Sequence, residues 1–568
     1  MNNNNLHQKK ILFGNKVEKI DKVDDKAKKK KILFVSPFSG KFAALSQFHA
    51  PPLGVMRVAS YLNKKGHYSE YFDPNLHACN NKGPSLEEVI RNTDWDIIGF
   101  SLLDETLLED IKNIYLARSL KPTALLVAGG VEAQFNYQQI LDKTPCKIVI
   151  LGEGEVPMLM LANGEEYNKI PGIIVKNPAK ALSQELFNEA TDAIPWEKIN
   201  YEDYWAVYKD MYGDQWTKEL EDSVNTVRVF SRNRCPIGCK YCSSTFQLTL
   251  ATEGKVPVVS QTEESLIHVI KRIKDAHKNV KMIYLTDDDF IINKRSVIKF
   301  CKLVVEHKLN DLKYMAFSRI TDLNEEVISW LKKANFVKLN IGVESFSERV
   351  LIEVGKRCPI SEIDPVLKLL KKYQIRPFMN IILTTPETKM EDVEVTVDRT
   401  IEYIKDPFYM AGIIIGIQPL KGTLYYEEYT NFKSYITDIE GTQFKIRRDD
   451  YIWATDPKVK KLQELYLDRQ ADYIKEYIAQ NNIKHPNQAV LAPAHLYLVK
   501  EIIEEIKLEK DSNAQNLKSD LYMKEGAGRN YKNSPLYNAY MSGQDDASQK
   551  KSALNKNRQF RGIKITTA

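Results

Sequence analysis

Two stretches of the chain alternate short apolar runs with segments of helical periodicity, and this alternation limits the fold more than any other feature. The first stretch begins with KILFVSPF at Lys31, ends with CKIVILGEGE at Glu155 and contains five apolar runs. The second begins with VRVFSRN at Val227, ends with MAGIIIGIQP at Pro419 and contains six. Repeated strand and helix units favour parallel sheets covered by helices. The sequence therefore predicts an α/β protein.

The two stretches predict two different sheets. The first fits a doubly wound, Rossmann-like domain, which binds ligands outside the carboxyl ends of its strands. The second, with six consecutive strand and helix units, fits a partial TIM-type barrel with its chemistry at the same ends. We expect a Rossmann-like domain at 31–195, a linker at 196–222, the barrel at 223–430 and a helical C-terminal region at 431–510. The polar segments 1–30 and 511–568 predict a disordered and a flexible tail.

Three cysteines after the first barrel strand predict a metal site. Cys235, Cys239 and Cys242 have the spacing CxxxCxxC, and Tyr241 precedes the last of them. Three thiolates on one loop can hold an iron-sulfur cube whose fourth iron stays open. A structural zinc site is the alternative, but it needs four closed ligands, and neither a fourth cysteine nor a histidine lies within twenty residues of Cys242.

Unusual polar residues fall at the ends of the later barrel strands. They are Asp287 after strand two, Arg319 after strand three, Glu344 and Ser345 after strand four and Gln418 after strand six. Any one of them alone is more often a helix cap or a turn residue. Because the carboxyl ends of barrel strands share one face, the joint placement predicts a single site there.

These residues resemble the motifs of the radical S-adenosylmethionine (radical SAM) superfamily. The cysteine spacing resembles its CxxxCx-aromatic-C signature, IGVES resembles its GxES element, and IQPLKGT resembles its PxxGT element, with Lys421 where a proline is usual. The resemblance implies a 4Fe-4S cluster on the three cysteines that, once reduced, cleaves S-adenosylmethionine to a 5'-deoxyadenosyl radical. It also implies S-adenosylmethionine contacts from Tyr241, Asp287, Arg319, Glu344, Ser345 and Gln418. No residue is assigned a catalytic role.

The first domain carries small residues at its strand ends, and these resemble a cobalamin fingerprint. Ser101-x-Leu103 followed by Gly129-Gly130 resembles the SxL and GG parts. The DxHxxG part is absent, since His77 lies at the wrong distance from Asp73. Cobalamin-dependent radical SAM enzymes share the PLG and GEGE motifs found here. The resemblance implies cobalamin binding by Pro52, Leu53, Gly54, Ser101, Leu103, Gly129, Gly130, Gly152 and Glu153; the alternative is a vestigial or purely structural domain.

For the whole chain the resemblance implies a cobalamin-dependent C-methyltransferase that acts on an unactivated carbon. Cyclisation or rearrangement without net methylation is the first alternative, and a cobalamin-independent radical SAM enzyme is the second. A methylthiotransferase acting on transfer RNA needs a second cysteine triad, whereas residues 31–195 contain only Cys79 and Cys146. A cobalamin or metal sensor would leave the GxES and PxxGT elements without a role.

Composition limits the partners. A net charge of +6 over 568 residues, with both signs interspersed, does not support nucleic-acid binding. We expect a small-molecule or peptide substrate and a one-electron donor such as flavodoxin or ferredoxin. No apolar run approaches the roughly 20 residues that span a bilayer, and the cysteines outside the motif show no disulfide framework. These features predict a cytoplasmic protein.

Overall fold

The fold was analysed in a computed structural model, which describes residues 29–38, 50–80, 83–173, 178–244, 251–252, 256–483 and 486–511. Apart from residues 29, 30 and 511, the two predicted tails lie outside the described residues. None of the helices in the described part of the chain is both long and apolar enough to cross a membrane.

The N-terminal domain is a five-stranded parallel sheet in the order β2-β1-β3-β4-β5, as predicted for a doubly wound fold. Its strands are β1 Lys31–Val35, β2 Tyr68–Phe72, β3 Ile97–Ser101, β4 Leu125–Gly129 and β5 Ile148–Val149. Its helices are α1 Leu53–Lys64, α2 Pro74–Asn80, α3 Leu86–Asn92, α4 Leu107–Leu120, α5 Val131–Lys143 and α6 Glu155–Ala162. Apolar side chains are buried on both faces, which explains the continuous apolar runs. The strand order reverses between β1 and β3, the position where such sheets bind ligands.

The segment predicted as a linker is folded and packs on the barrel. It lies among α7 Gln184–Asp192, α8 Tyr201–Tyr212 and α9 Lys218–Val224. Trp196 is fully buried, and its carbonyl oxygen lies 2.8 Å from His277 Nε2. Trp205 Nε1 donates to the carbonyl oxygen of Thr226 at 3.3 Å. These two contacts attach the segment to the first strand of the barrel and to the residue that follows its first helix.

The second domain is the predicted partial barrel. Its six parallel strands pair in sequence order, and the two outermost, β6 and β11, do not pair with each other. The strands are β6 Thr226–Val229, β7 Met282–Leu285, β8 Lys313–Arg319, β9 Phe336–Glu344, β10 Arg376–Ile382 and β11 Met410–Ile414. The helices are α10 Glu263–Ala276, α11 Lys294–Glu306, α12 Glu325–Lys333, α13 Glu348–Glu353, α14 Ile363–Lys372 and α15 Met390–Ile404.

The C-terminal region contains the expected helices and one hairpin that was not predicted. The helices are α16 Leu424–Glu428, α17 Pro457–Gln480 and α18 Gln488–Asp511, and α18 packs against the open edge at β11. The hairpin pairs β12 Ser434–Asp438 with β13 Lys445–Asp449. Ile439, Phe444 and Ile446 from the hairpin join the apolar core of the N-terminal domain. The strand KIRRD offers only one apolar side chain, so its sequence lacks a clear strand pattern.

Candidate functional site

The backbone of the cysteine loop is fixed by neighbouring barrel elements. The Asp287 carboxylate accepts hydrogen bonds from Ser231 N at 2.7 Å, Ser231 Oγ at 2.6 Å and Arg232 N at 2.7 Å. Further along the loop, Lys240 N donates to Val354 O at 3.0 Å, and Tyr425 N donates to Lys240 O at 3.1 Å. Asp287 is thus occupied with positioning the loop after β6.

None of the three cysteines of this loop is in a disulfide; Cys239 is buried, and Cys235 and Cys242 are half-buried. Burial raises the pKa of Cys235 to about 11 and that of Cys242 to about 12, and nearby acidic groups act in the same direction. Each of these two thiols also interacts electrostatically with Cys239. In the described part of the chain, no three His, Cys, Asp or Glu side chains are already gathered in metal-binding geometry. Gly238, between the first two cysteines, has a φ of 81°, a left-handed conformation that favours glycine.

An acidic and basic network lies behind the first cysteine. Arg319 Nε donates to Asp289 Oδ2 at 2.8 Å, and its Nη2 donates to Asp322 Oδ1 at 2.8 Å. Both Asp289 and Arg319 interact electrostatically with Cys235. A cavity of about 90 Å³ opens between the ends of β6 and β7, and Asp288 and Asp289 are among its lining residues. The predicted Asp287 and Arg319 are therefore brought close to the cysteine loop.

A buried ion pair lies at the end of β9. Lys356 Nζ donates to Glu344 Oε1 at 2.8 Å, and each side chain is 8% exposed. Burial alone would lower the pKa of Lys356, but the Glu344 carboxylate and the Cys239 thiol raise it above its usual value. The Tyr241 hydroxyl also hydrogen-bonds to Glu344. A Cβ at Gly342 would lie 2.3 Å from Lys356 Nζ, so the pair needs glycine beneath it.

Two other predicted residues have different surroundings. The Ser345 side chain is buried, with its Oγ 2.9 Å from Thr396 Oγ1 of α15, and it accepts a hydrogen bond from Ser347 N at 3.0 Å. Ser345 therefore joins the end of β9 to a surrounding helix. Gln418 is exposed beyond the end of β11. Lys356 was missed in the sequence because it is one of many lysines and stands in no recognised motif.

In the N-terminal domain the SxL and GG segments interlock. Leu102 N donates to Gly129 O at 2.8 Å, and Ser101 is the register partner of Gly129. Gly130 has a φ of 88°, and a Cβ there would lie 2.8 Å from both N and O of Leu102. The neighbouring Leu103 is half-buried. At Gly54, which follows Pro52 and Leu53 at the start of α1, no described atom lies within 4 Å of a built Cβ. Gly54 and Gly130 are exposed, whereas Gly129 is half-buried.

The GEGE segment contacts the barrel instead. Arg57 forms ion pairs with Glu155 and, at 3.5 Å, with Glu153, whose carboxylate also accepts from Leu182 N at 2.9 Å. The Arg57 guanidinium lies over Phe230, which follows β6, at 5.4 Å from the ring centroid. Gly152, with a φ of 74°, packs beside two alanine side chains. In this structure Glu153 is therefore part of the junction between the domains.

Two protein-family models match the chain in succession. A B12 binding domain covers residues 42–162, and the radical SAM superfamily covers residues 229–400. The chain therefore carries a B12 binding domain followed by a domain of the radical SAM superfamily. The enzyme is 26% identical over 357 residues to the uncharacterized methyltransferase PH0819 of Pyrococcus horikoshii, covering 61% of this chain and 72% of that protein.

A second relative points to different chemistry. The anaerobic magnesium-protoporphyrin IX monomethyl ester cyclase of Cereibacter sphaeroides is 23% identical over 375 residues, which are 64% of this chain and 59% of the cyclase. Among solved structures, the cobalamin-dependent S-adenosylmethionine radical enzyme OxsB, with aqua-cobalamin and S-adenosylmethionine bound, aligns with a TM-score of 0.60 at 16% identity. That alignment covers 94% of this chain and 79% of OxsB, and it supports the fold.

The cofactors of the enzyme are a 4Fe-4S cluster, S-adenosylmethionine and cobalamin. The donor set after β6 fits the cluster, because it offers three thiols on one loop that are not in disulfides. The exposed residues Gly54 and Gly130 fit a bulky ligand, because a glycine lets a ligand approach the backbone closely.

Proposed function

We propose that the enzyme methylates an unactivated carbon, with the reaction taking place between the carboxyl ends of its two sheets. The similarity to the methyltransferase PH0819 favours methylation, and one contact supports this placement of the reaction. Glu132, two residues after Gly130, forms an ion pair with Lys421, which lies in the loop after β11. Each loop continues a strand from its carboxyl end, so this ion pair joins the two edges at which the cofactors are expected.

On the barrel side, we assign the cluster to Cys235, Cys239 and Cys242. Lys356 is held positively charged beside Cys239, so it is suited to bind the carboxylate of S-adenosylmethionine. Glu344 holds the lysine in place and offers an acceptor to the cofactor's amino or hydroxyl groups. When bound, the cofactors supply an electron, a deoxyadenosyl radical and a methyl group. The protein orients them and excludes water.

On the cobalamin side, we assign the binding surface to Gly54, Ser101, Leu103, Gly129 and Gly130. The position where the fingerprint has histidine is Asn75. Its side chain is buried and donates to Pro37 O at 2.7 Å and to Asp73 Oδ1 at 2.9 Å. Asp73 also accepts from Tyr204 OH at 2.9 Å. This hydrogen-bonded group supports cobalamin binding without a cobalt ligand from that motif.

Cyclisation or rearrangement without net methylation is the second candidate, and the similarity to the anaerobic cyclase favours it. The two functions differ in stoichiometry. A methyltransferase of this class transfers a labelled methyl group from S-adenosylmethionine to its product, whereas a cyclase forms deoxyadenosine without labelled product.

The first experiment is anaerobic reconstitution with iron and sulfide. The enzyme should bind about four irons and cleave S-adenosylmethionine after reduction. Cys239→Ala should lose both properties, whereas Cys301→Ala, a buried thiol outside the loop, should keep the iron. Zinc in place of iron in the reconstituted protein would refute the assignment.

A further inference from the structure

A basic groove on the outside of the barrel has no role in the chemistry described so far. It lies between α11 and α12 and has a volume of about 500 Å³. Its walls include Lys294, Arg295, Lys299 and Lys302 from one face of α11, and Asn324 and Glu326 from the start of α12. Among these lining residues four cations thus face one carboxylate.

Three of these cations, Lys294, Arg295 and Lys302, have no carboxylate partner among the described residues. Within the described residues, no carboxylate oxygen lies within 4.0 Å of the charged nitrogens of Lys294 or Arg295, although Lys299 pairs with Glu263 at 3.0 Å and Glu264 at 2.8 Å. Both helices also begin at the groove, with Asn293 and Asn324 as their N-caps. The positive ends of two helix dipoles add to the charge of the side chains. The groove therefore attracts an anionic surface.

The groove is close to the cysteine loop. Only a short 3-10 turn, Phe290–Ile292, and Asn293 separate Asp289 from Lys294, and a second turn, Ile320–Asp322, leads from Arg319 towards α12. Asp289 and Arg319 are bonded to each other and interact electrostatically with Cys235. Along the chain, one short turn on each side thus separates the groove from residues that interact with Cys235.

We propose that this groove is the docking surface for the acidic face of a small one-electron carrier protein. The inference rests on the proposed reductive cleavage of S-adenosylmethionine, which needs one electron for each cleavage. The reduced carrier gives up that electron in a one-electron oxidation, and the cluster held in part by Cys235 would accept the electron. Charge complementarity of this kind mainly accelerates productive encounter, and its effect falls with ionic strength.

The test compares a protein reductant with a small one. Lys294→Glu/Arg295→Glu reverses two of the unpaired charges and should not harm folding, since acidic residues are favourable in the first turn of a helix. With reduced flavodoxin as donor, cleavage of S-adenosylmethionine should slow by about tenfold or more, because steering contributes about 10 to 1,000-fold. With dithionite, the rate should match that of the unaltered enzyme. Lys458→Glu/Lys460→Glu, the same charge change on exposed α17 positions, is the matched control.

Each outcome decides something. An equal flavodoxin rate in the groove variant and its control would overturn the proposal. So would a variant that keeps its flavodoxin rate but loses affinity for a single-stranded oligonucleotide, because the groove would then bind nucleic acid. If the unaltered enzyme does not cleave S-adenosylmethionine even with dithionite, the proposed function fails. Direct titration with flavodoxin, which requires no cleavage, still tests the docking surface in that case.

Discussion

Removing the positive charge of Lys421 tests how the two domains are held together. The Glu132 side chain is 6% exposed, and burial raises its pKa to about 7 even though the Lys421 ammonium lowers it. The ordinary value is about 4.3, so the folded state favours the protonated form. The stability that this group contributes is complete below its ordinary pKa and is lost as pH rises to about 7. Above that pH, the ionised Glu132 carboxylate lies beside the Lys421 ammonium, and this ion pair limits any further loss of stability.

The variant Lys421→Met keeps the apolar stem and deletes the ammonium. In this variant Glu132 lacks the Lys421 ammonium and stays protonated to higher pH. The free energy of unfolding of the variant therefore continues to fall above pH 7, where that of the unaltered protein has levelled off. One pKa unit corresponds to about 1.4 kcal/mol. The difference in stability between the unaltered protein and the variant should therefore be under about 0.5 kcal/mol at pH 6 and grow to about 2 to 3 kcal/mol at pH 9.

Amide hydrogen exchange of α5, Val131–Lys143, measures this difference as the free energy of local opening, after correction for the intrinsic pH dependence of exchange. The same lysine change in a Glu132→Gln background is the control and should have no pH-dependent effect. A difference that stays flat between pH 6 and 9, or one that persists without the carboxylate, would refute the reasoning.

Three further changes address separate parts of the molecule. Gly130→Ala places a Cβ 2.8 Å from the Leu102 backbone at a φ of 88°, and the backbone conformation alone costs about 1 to 2 kcal/mol. The variant should therefore retain less corrinoid after desalting, measured by absorbance, whereas its iron content should not change. Lys356→Met should weaken S-adenosylmethionine binding by about tenfold or more, or about 1.4 kcal/mol, in equilibrium dialysis of the iron-loaded protein; unchanged affinity would contradict its assignment. Burial lowers the pKa of His495 to about 4. The contribution of His495 to the free energy of unfolding is therefore complete at a pH above its ordinary pKa of about 6.5 and falls by about 1.4 kcal/mol per pH unit towards pH 4. His495→Phe should remove this acid sensitivity of the α17–α18 pair, measured by hydrogen exchange.

The fold was predictable because its signals are local and repeated. The strands of both sheets follow the predicted alternation of strand and helix units, five in the first stretch and six in the second. The hairpin β12–β13 was not predictable, since its apolar residues are few and their partners lie about 300 positions earlier in the chain. Long-range packing of this kind leaves no periodic pattern.

The site was predictable only in part, for a related reason. Motifs identified the cysteines and the residues at strand ends, but they could not separate groups that face the cofactors from groups that hold the loops. Asp287 accepts three hydrogen bonds from the cysteine loop, and Ser345 faces α15. Conversely, the charge of Lys356 matters because Glu344, at the end of β9, holds it near Cys239, and these are tertiary contacts.

The unpredicted hairpin and the Lys421 ion pair act on the same helix. Glu132 lies in the first turn of α5, whereas Gln139, two turns later, exchanges two hydrogen bonds with the backbone of Lys445, at 2.9 and 2.7 Å. Because α5 begins directly after Gly130, a helix fastened at both points fixes the GG segment relative to the barrel. Radical transfer needs its reactants oriented within a few tenths of an ångström. The segment after the sixth strand therefore helps to position the GG segment. Apart from Gln418 at its start, none of its residues is expected to contact a cofactor.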